Sequence, residues 1–135
     1  MISKYFKAHE LVPPDIYIKF GESSFKFMNK ELIMTIDMIK EKFNKGTMTI
    51  NDYKWKGDRQ FSGLRTTDSP DYSHTSQHSL GNAIDCIFSD YTAEEVRTYI
   101  LANLNEFPYI KGIELDVSWL HIDCRNTLTL EKFSK

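Results

Sequence analysis

Two short segments constrain the fold of this chain more than any other feature. They are "GNAIDCIF", residues 81–88, and "SWLHIDC", residues 118–124. Each reads as a buried β-strand, and side chains alternate between the two faces of a strand. Across 82–88, Ile84, Cys86 and Phe88 share one face, while Asp85 lies on the other with Ala83 and Ile87. Across 119–124, Leu120, Ile122 and Cys124 share one face, and Trp119, His121 and Asp123 the other. Each strand thus offers one apolar face carrying a cysteine and one face carrying a His or Asp. With the apolar faces laid on a helical core, Asp85 and His121 converge on the open side of the sheet.

The helices for such a core are legible. Residues 30–45, "KELIMTIDMIKEKFNK", place Leu32, Ile36, Ile39 and Phe43 at three- and four-residue intervals, with Asn29 set to cap the start and Gly46 the end. In "TAEEVRTYILANL", Thr92 and Glu95 form a capping box ahead of the Val96, Ile100 and Leu104 stripe. "TMTIND" alternates like a short strand, and "IKGIELD" reads as a strand joined to 118–124 by a tight turn at 116–118. Residues 1–28 mix aromatics with Pro13, Pro14 and Gly21. They read as an irregular extension packed on the domain, with a short helix after Pro14. The expected fold is a single α+β domain over 1–135, a small, largely antiparallel sheet with helices packed on one face. A chain of 135 residues, 41% hydrophobic, is long enough to bury a real core that way.

Composition removes several function classes. A net charge of −2 gives no sign of a nucleic-acid partner. No apolar run approaches the ~20 residues of a membrane helix, so no membrane insertion is expected. "MISKYFKAHELVPP" has no apolar core of a signal peptide, so no secretory signal is expected, and action outside a cell would need another agent to deliver the protein. Cys86 and Cys124 lack CxxC spacing and read as buried free thiols. A monomer is the default expectation.

The chemistry gathers near one stretch. Residues 52–77 are polar and turn-rich, and a connection this long in a compact domain is either functional or disordered. It runs into "SQHSLGNAID", where His78 stands seven positions before Asp85. With His121, these supply two imidazoles and a carboxylate, which leave one position open on a tetrahedral zinc, as in catalytic sites. Hydrolysis also needs a carboxylate base, and Glu114 and Asp116 are the local candidates. The same spacing fits a polar loop entering a strand, with a histidine satisfied by a neighbour. There is no HExxH helix. Spacing alone leaves both readings open.

The residues together resemble a known family. "SQHSLGNAID" matches the S-x-H-x-x-G-x-A-x-D signature of the D-Ala-D-Ala carboxypeptidase and L-Ala-D-Glu endopeptidase family of zinc peptidases, at Ser76, His78, Gly81, Ala83 and Asp85. "SWLHIDCR" is similar to the family's second segment, and "FSGLRT" to the segment carrying an arginine, here Arg65, thirteen residues before His78. "HELVPPDIY" and "TINDYKWKG" resemble small phage-encoded members. The resemblance spans most of the chain and implies the fold shared by phage endolysins, bacterial carboxypeptidases and hedgehog domains. It implies His78, Asp85 and His121 as zinc ligands, Arg65 as the holder of a substrate carboxylate, and Ser76 as a residue that holds substrate or the metal loop. It implies that Gly81 allows a close backbone approach. Trp119 either lines the cleft or packs.

One position departs from the pattern. Many members place an acid three residues before the last histidine, where this chain has Ser118. Relatives with a longer connection carry it at the end of the preceding strand, which favours Glu114 over Asp116 as base. The function implied is a zinc-dependent hydrolase cutting a peptide bond in the stem peptides of bacterial peptidoglycan. The enzyme would be phage-encoded, an endolysin or virion-associated, held in the host cytoplasm until lysis or carried in the particle. Ser118 keeps an alternative in view: a catalytically inactive, zinc-containing structural or wall-binding phage protein of the same fold.

Overall fold

The computed structural model describes residues 2–134. Among these lie three α-helices and one five-stranded sheet. Helix α1 (Pro14–Phe20) starts on a proline at its first position, where the missing N–H costs nothing. A 3-10 segment (Gly21–Phe27) follows directly. The N-terminal region is therefore more helical than its proline and glycine content implies. Phe6, Ala8, Leu11, Val12 and Phe25 bury it in the core.

Helix α2 (Lys30–Lys42) is capped by Asn29, whose Oδ1 accepts the Glu31 N–H at 2.8 Å. It ends three residues earlier than its apolar spacing implies. Phe43 leaves the helical conformation, and its ring meets Tyr91 and Tyr99 edge-on at 5.2 and 5.5 Å. Aromatic packing outweighs another helical turn there. Helix α3 (Ala93–Ala102) opens with the Thr92–Glu95 capping box, both bonds at 3.0 Å.

The strands are β1 (Met48–Thr49), β2 (Ala83–Phe88), β3 (Gly112–Glu114), β4 (Leu120–Asp123) and β5 (Glu131–Phe133), in the order β1-β2-β4-β3-β5. The pairs β1–β2, β2–β4 and β3–β4 are antiparallel, but β5 lies parallel to β3. The sheet is thus mixed rather than largely antiparallel. The reason is directional: a chain that reverses after β4 runs the same way as β3, and β5 pairs on β3's free edge. Ile84, Cys86, Ile113, Leu120 and Ile122 line the apolar face and share one core with α2 and α3. Cys86 and Cys124 are both buried and free, as expected. No helix among the described residues is long and apolar enough to cross a membrane.

Gly112 has a specific steric role. A Cβ there would overlap the carboxylate of Asp123, its partner across β4. Asp123 is fully buried, so it has little room to retreat. Gly112→Ala is expected to destabilise the fold by about 1–3 kcal/mol, the usual cost of overpacking. A urea melt checks this, and an unchanged midpoint would show that Asp123 can move aside.

Candidate metal centre

The polar face of the sheet is assembled by register. Asp85 of β2 sits directly opposite His121 of β4, and Ala83 opposite Asp123. Small Ala83 and Gly112 flank Asp123 and leave its carboxylate room. His78 arrives from the loop before β2. Its ring Nδ1–H donates to the Gly63 carbonyl at 3.0 Å, since a carbonyl can only accept. That fixes the tautomer and turns Nε2 toward Asp85 Oδ2, 3.3 Å away. The His78 N–H is held by Ser76 Oγ at 3.2 Å. Gly81 closes the loop with φ of +74°, and a Cβ on it would overlap the Phe27 carbonyl.

His121 is gripped from both sides. Its Nδ1 lies 2.9 Å from Asp85 Oδ1, and its Nε2 lies 2.8 Å from Asp123 Oδ2. Arg125 clamps Asp123 from behind through Nε at 2.8 Å and Nη2 at 2.7 Å, and Glu131 of β5 holds Arg125 Nη1 at 2.6 Å. Phe133 of β5 completes the support. It packs edge-on against the His121 ring at 5.4 Å and beneath the Arg125 guanidinium at 4.9 Å.

The electrostatics favour positive charge at this point. Burial alone would lower the His121 imidazole, but hydrogen bonds to Asp123 and Asp85 raise it to about 9. Burial alone would raise Asp85, yet His121 and His78 hold its carboxyl well below the usual carboxylate range. Burial opposes ionisation of Asp123 as well, and Arg125 and then His121 bring it down to about 2. A metal bound through His121 would have to displace that proton, because only the neutral imidazole ligates.

His78, Asp85 and His121 offer one ligand atom each, and these atoms all lie within 4.8 Å of one another. Ligand bonds of ~2 Å can span such a group from one ion. The donor set therefore fits a metal ion, with His78 Nε2, an Asp85 oxygen and His121 Nδ1 as ligands. These residues line a cleft of about 420 Å³ shared with Arg65, Ser76, Glu114 and Trp119.

Glu114 ends β3 and points to the His121 side, because the register pairs Gly112 with Asp123. It is buried, and its Oε2 has no hydrogen-bond partner. Arg65 Nε and Trp119 Nε1 are likewise buried without partners. Three unpaired polar atoms in one cleft mark where a ligand's own polar groups would go. The Arg65 guanidinium is anchored by the Phe61 carbonyl at 3.3 Å and stands 3.9 Å from Asp85 Oδ2. Trp119 is set by Arg97 of α3, whose Nη2 donates to the Trp119 carbonyl at 2.7 Å and to the Val117 carbonyl at 2.9 Å.

Asp116 is not brought to the site. It sits beyond the end of β3, exposed, with φ of +62°. Ser118 is exposed too and takes no part in the cleft. Sequence reasoning missed Gln77, Asp71 and Phe133, which line the cleft. It also missed Glu131, which acts through Arg125. Comparisons of the chain with protein-family models, with curated proteins and with solved structures each found no match.

Proposed function

We propose that this chain is a zinc-dependent peptidase acting on the stem peptides of bacterial peptidoglycan, with the fold of the D-Ala-D-Ala carboxypeptidase family. The observation that carries the reading is a single cleft. It holds a buried two-histidine, one-aspartate ligand set, an unpartnered buried carboxylate and an anchored arginine. The signature around His78 and Asp85 points to the same class. A phage-encoded wall hydrolase fits both.

Zinc held by His78, Asp85 and His121 would supply Lewis-acid polarisation of the scissile carbonyl and ease ionisation of the attacking water. The chain's own residues do the rest. Glu114 takes a proton from the water through its free Oε2 and delivers it to the leaving amine nitrogen as the C–N bond breaks. Arg65 holds a substrate carboxylate with its planar fork. Trp119 Nε1–H is placed to donate to a substrate carbonyl. Asp123 and Gly63 fix the ring orientations of His121 and His78.

The test is a digest of purified peptidoglycan by zinc-loaded protein, with chelator-treated protein as control and fragments read by mass spectrometry. New fragments that vanish with chelator and return with zinc are the expected result. No fragments from folded, zinc-containing protein would overturn the enzymatic reading.

A further inference from the structure

Gln77 stands between Ser76 and the candidate ligand His78, half-buried, and it lines the cleft. A glutamine amide can offer a ligand either its acceptor oxygen or its two donor hydrogens. Which one Gln77 offers is decided at the far end of a chain of three amides.

The chain starts at the cap of α2. Asn29 Oδ1 accepts the backbone N–H of Glu31 at 2.8 Å, and a backbone N–H can only donate. The other end of the Asn29 amide is therefore the donor, and its Nδ2 donates to Asn82 Oδ1 at 3.2 Å. Asn82 is left with Nδ2, which donates to Gln77 Oε1 at 3.1 Å. Each bond fixes the next amide. The backbone ties the same segments together: Asn29 N–H donates to the Gly81 carbonyl and Asn82 N–H to the Gln77 carbonyl, both at 2.9 Å. The acceptor end of Gln77 is thus engaged, and among the described residues its Nε2 has no acceptor. Such a donor is oriented before a ligand arrives, which lowers the entropic cost of binding. It joins two further donors of the cleft that lack partners, Arg65 Nε and Trp119 Nε1.

We propose that Gln77 is a specificity-determining residue that donates from Nε2 to a carbonyl oxygen of the bound peptide. Asn82 and Asn29 are positioning residues that set the polarity of this contact. A neutral amide donor suits a neutral carbonyl, while the charged fork of Arg65 suits a carboxylate. The inference rests on the peptidase reading above and adds a contact that selects for an acceptor beside His78.

Binding of a short stem peptide is measured by calorimetry on zinc-loaded Glu114→Gln protein. Adding Gln77→Glu keeps the acceptor for Asn82 and turns the other end from donor to acceptor. It is expected to weaken binding about 10-fold, the scale of one hydrogen bond lost against an opposed acceptor, with zinc content unchanged. Gln77→Ala deletes the donor and places no charge beside His78, and about 5-fold is expected. Asn82→Asp accepts from Asn29 and from Gln77 alike, which turns the Gln77 amide over, and about 10-fold is expected again. In the Gln77→Ala background Asn82→Asp should cost nothing more, because its effect passes through the Gln77 amide. Unchanged affinity in Gln77→Glu and Gln77→Ala overturns the contact. An Asn82→Asp loss that persists undiminished without Gln77 overturns the relay. Digestion of the same peptide by the zinc-loaded wild type separates the two readings. Peptide that binds with this pattern of losses but is never cut overturns the peptidase reading and leaves the contact standing. Peptide that is cut, with these losses absent, does the reverse. Neither binding nor cutting overturns both.

Discussion

Glu114→Gln is expected to leave zinc content and fold intact and to lower turnover by about 10²–10⁴-fold, the usual contribution of a positioned general base. Glutamine keeps the size and one acceptor oxygen but cannot take the proton. Glu114 is not among the three ligand residues, so metal retention is the control that separates loss of base from loss of site. The companion substitution is Asp116→Asn. Its side chain is exposed beyond the end of β3, and activity should stay within about 2-fold, as for most surface changes. Loss of activity in Asp116→Asn, with Glu114→Gln unaffected, would reverse the assignment of the base.

His121→Ala is expected to abolish stoichiometric zinc binding and all chelator-sensitive cleavage. It also strips Asp85 and Asp123 of a shared hydrogen-bond partner. Removing one member of a buried ionic pair typically costs about 3–5 kcal/mol, so the variant should melt earlier as well. A gentler change separates these effects. Asp123→Asn keeps every ligand but weakens the grip on His121 Nε2, and such changes cost about 10–100-fold in metal affinity. Competition against a chromophoric chelator measures it. Wild-type affinity in Asp123→Asn would mean that Asp85 and packing against Phe133 orient the ring without the Asp123 charge.

The convergence of Asp85 and His121 was legible because side chains alternate cleanly along the two strands that carry them, whereas the full set with loop residue His78 came only with the family resemblance. β5 was not legible. It has three residues, two of them exposed, too few to show a period of two. Its Glu131 and Phe133 nonetheless brace the candidate metal centre through Arg125 and His121. The rank of Glu114 over Asp116 depends on where β3 stops. The family resemblance already ranked Glu114 first, and register against β4 then puts it on the His121 side. Asp123 shares a face with His121 by simple alternation, but only the fold shows that it serves His121 and Arg125 at once. Asp71 and Gln77 come from a segment with turns and no periodicity, so nothing in the sequence marked them.

The apolar side of the sheet carries a further consequence. Cys86 follows Asp85 in β2 and is fully buried on the opposite face, where burial pushes its thiol well above the ordinary range. A thiol reagent can reach Cys86 only when that strand lifts away from α2 and α3, and the same movement dismantles the ligand set. Its rate of alkylation is therefore a built-in clock for how often the scaffold of the candidate metal centre opens, readable without substrate.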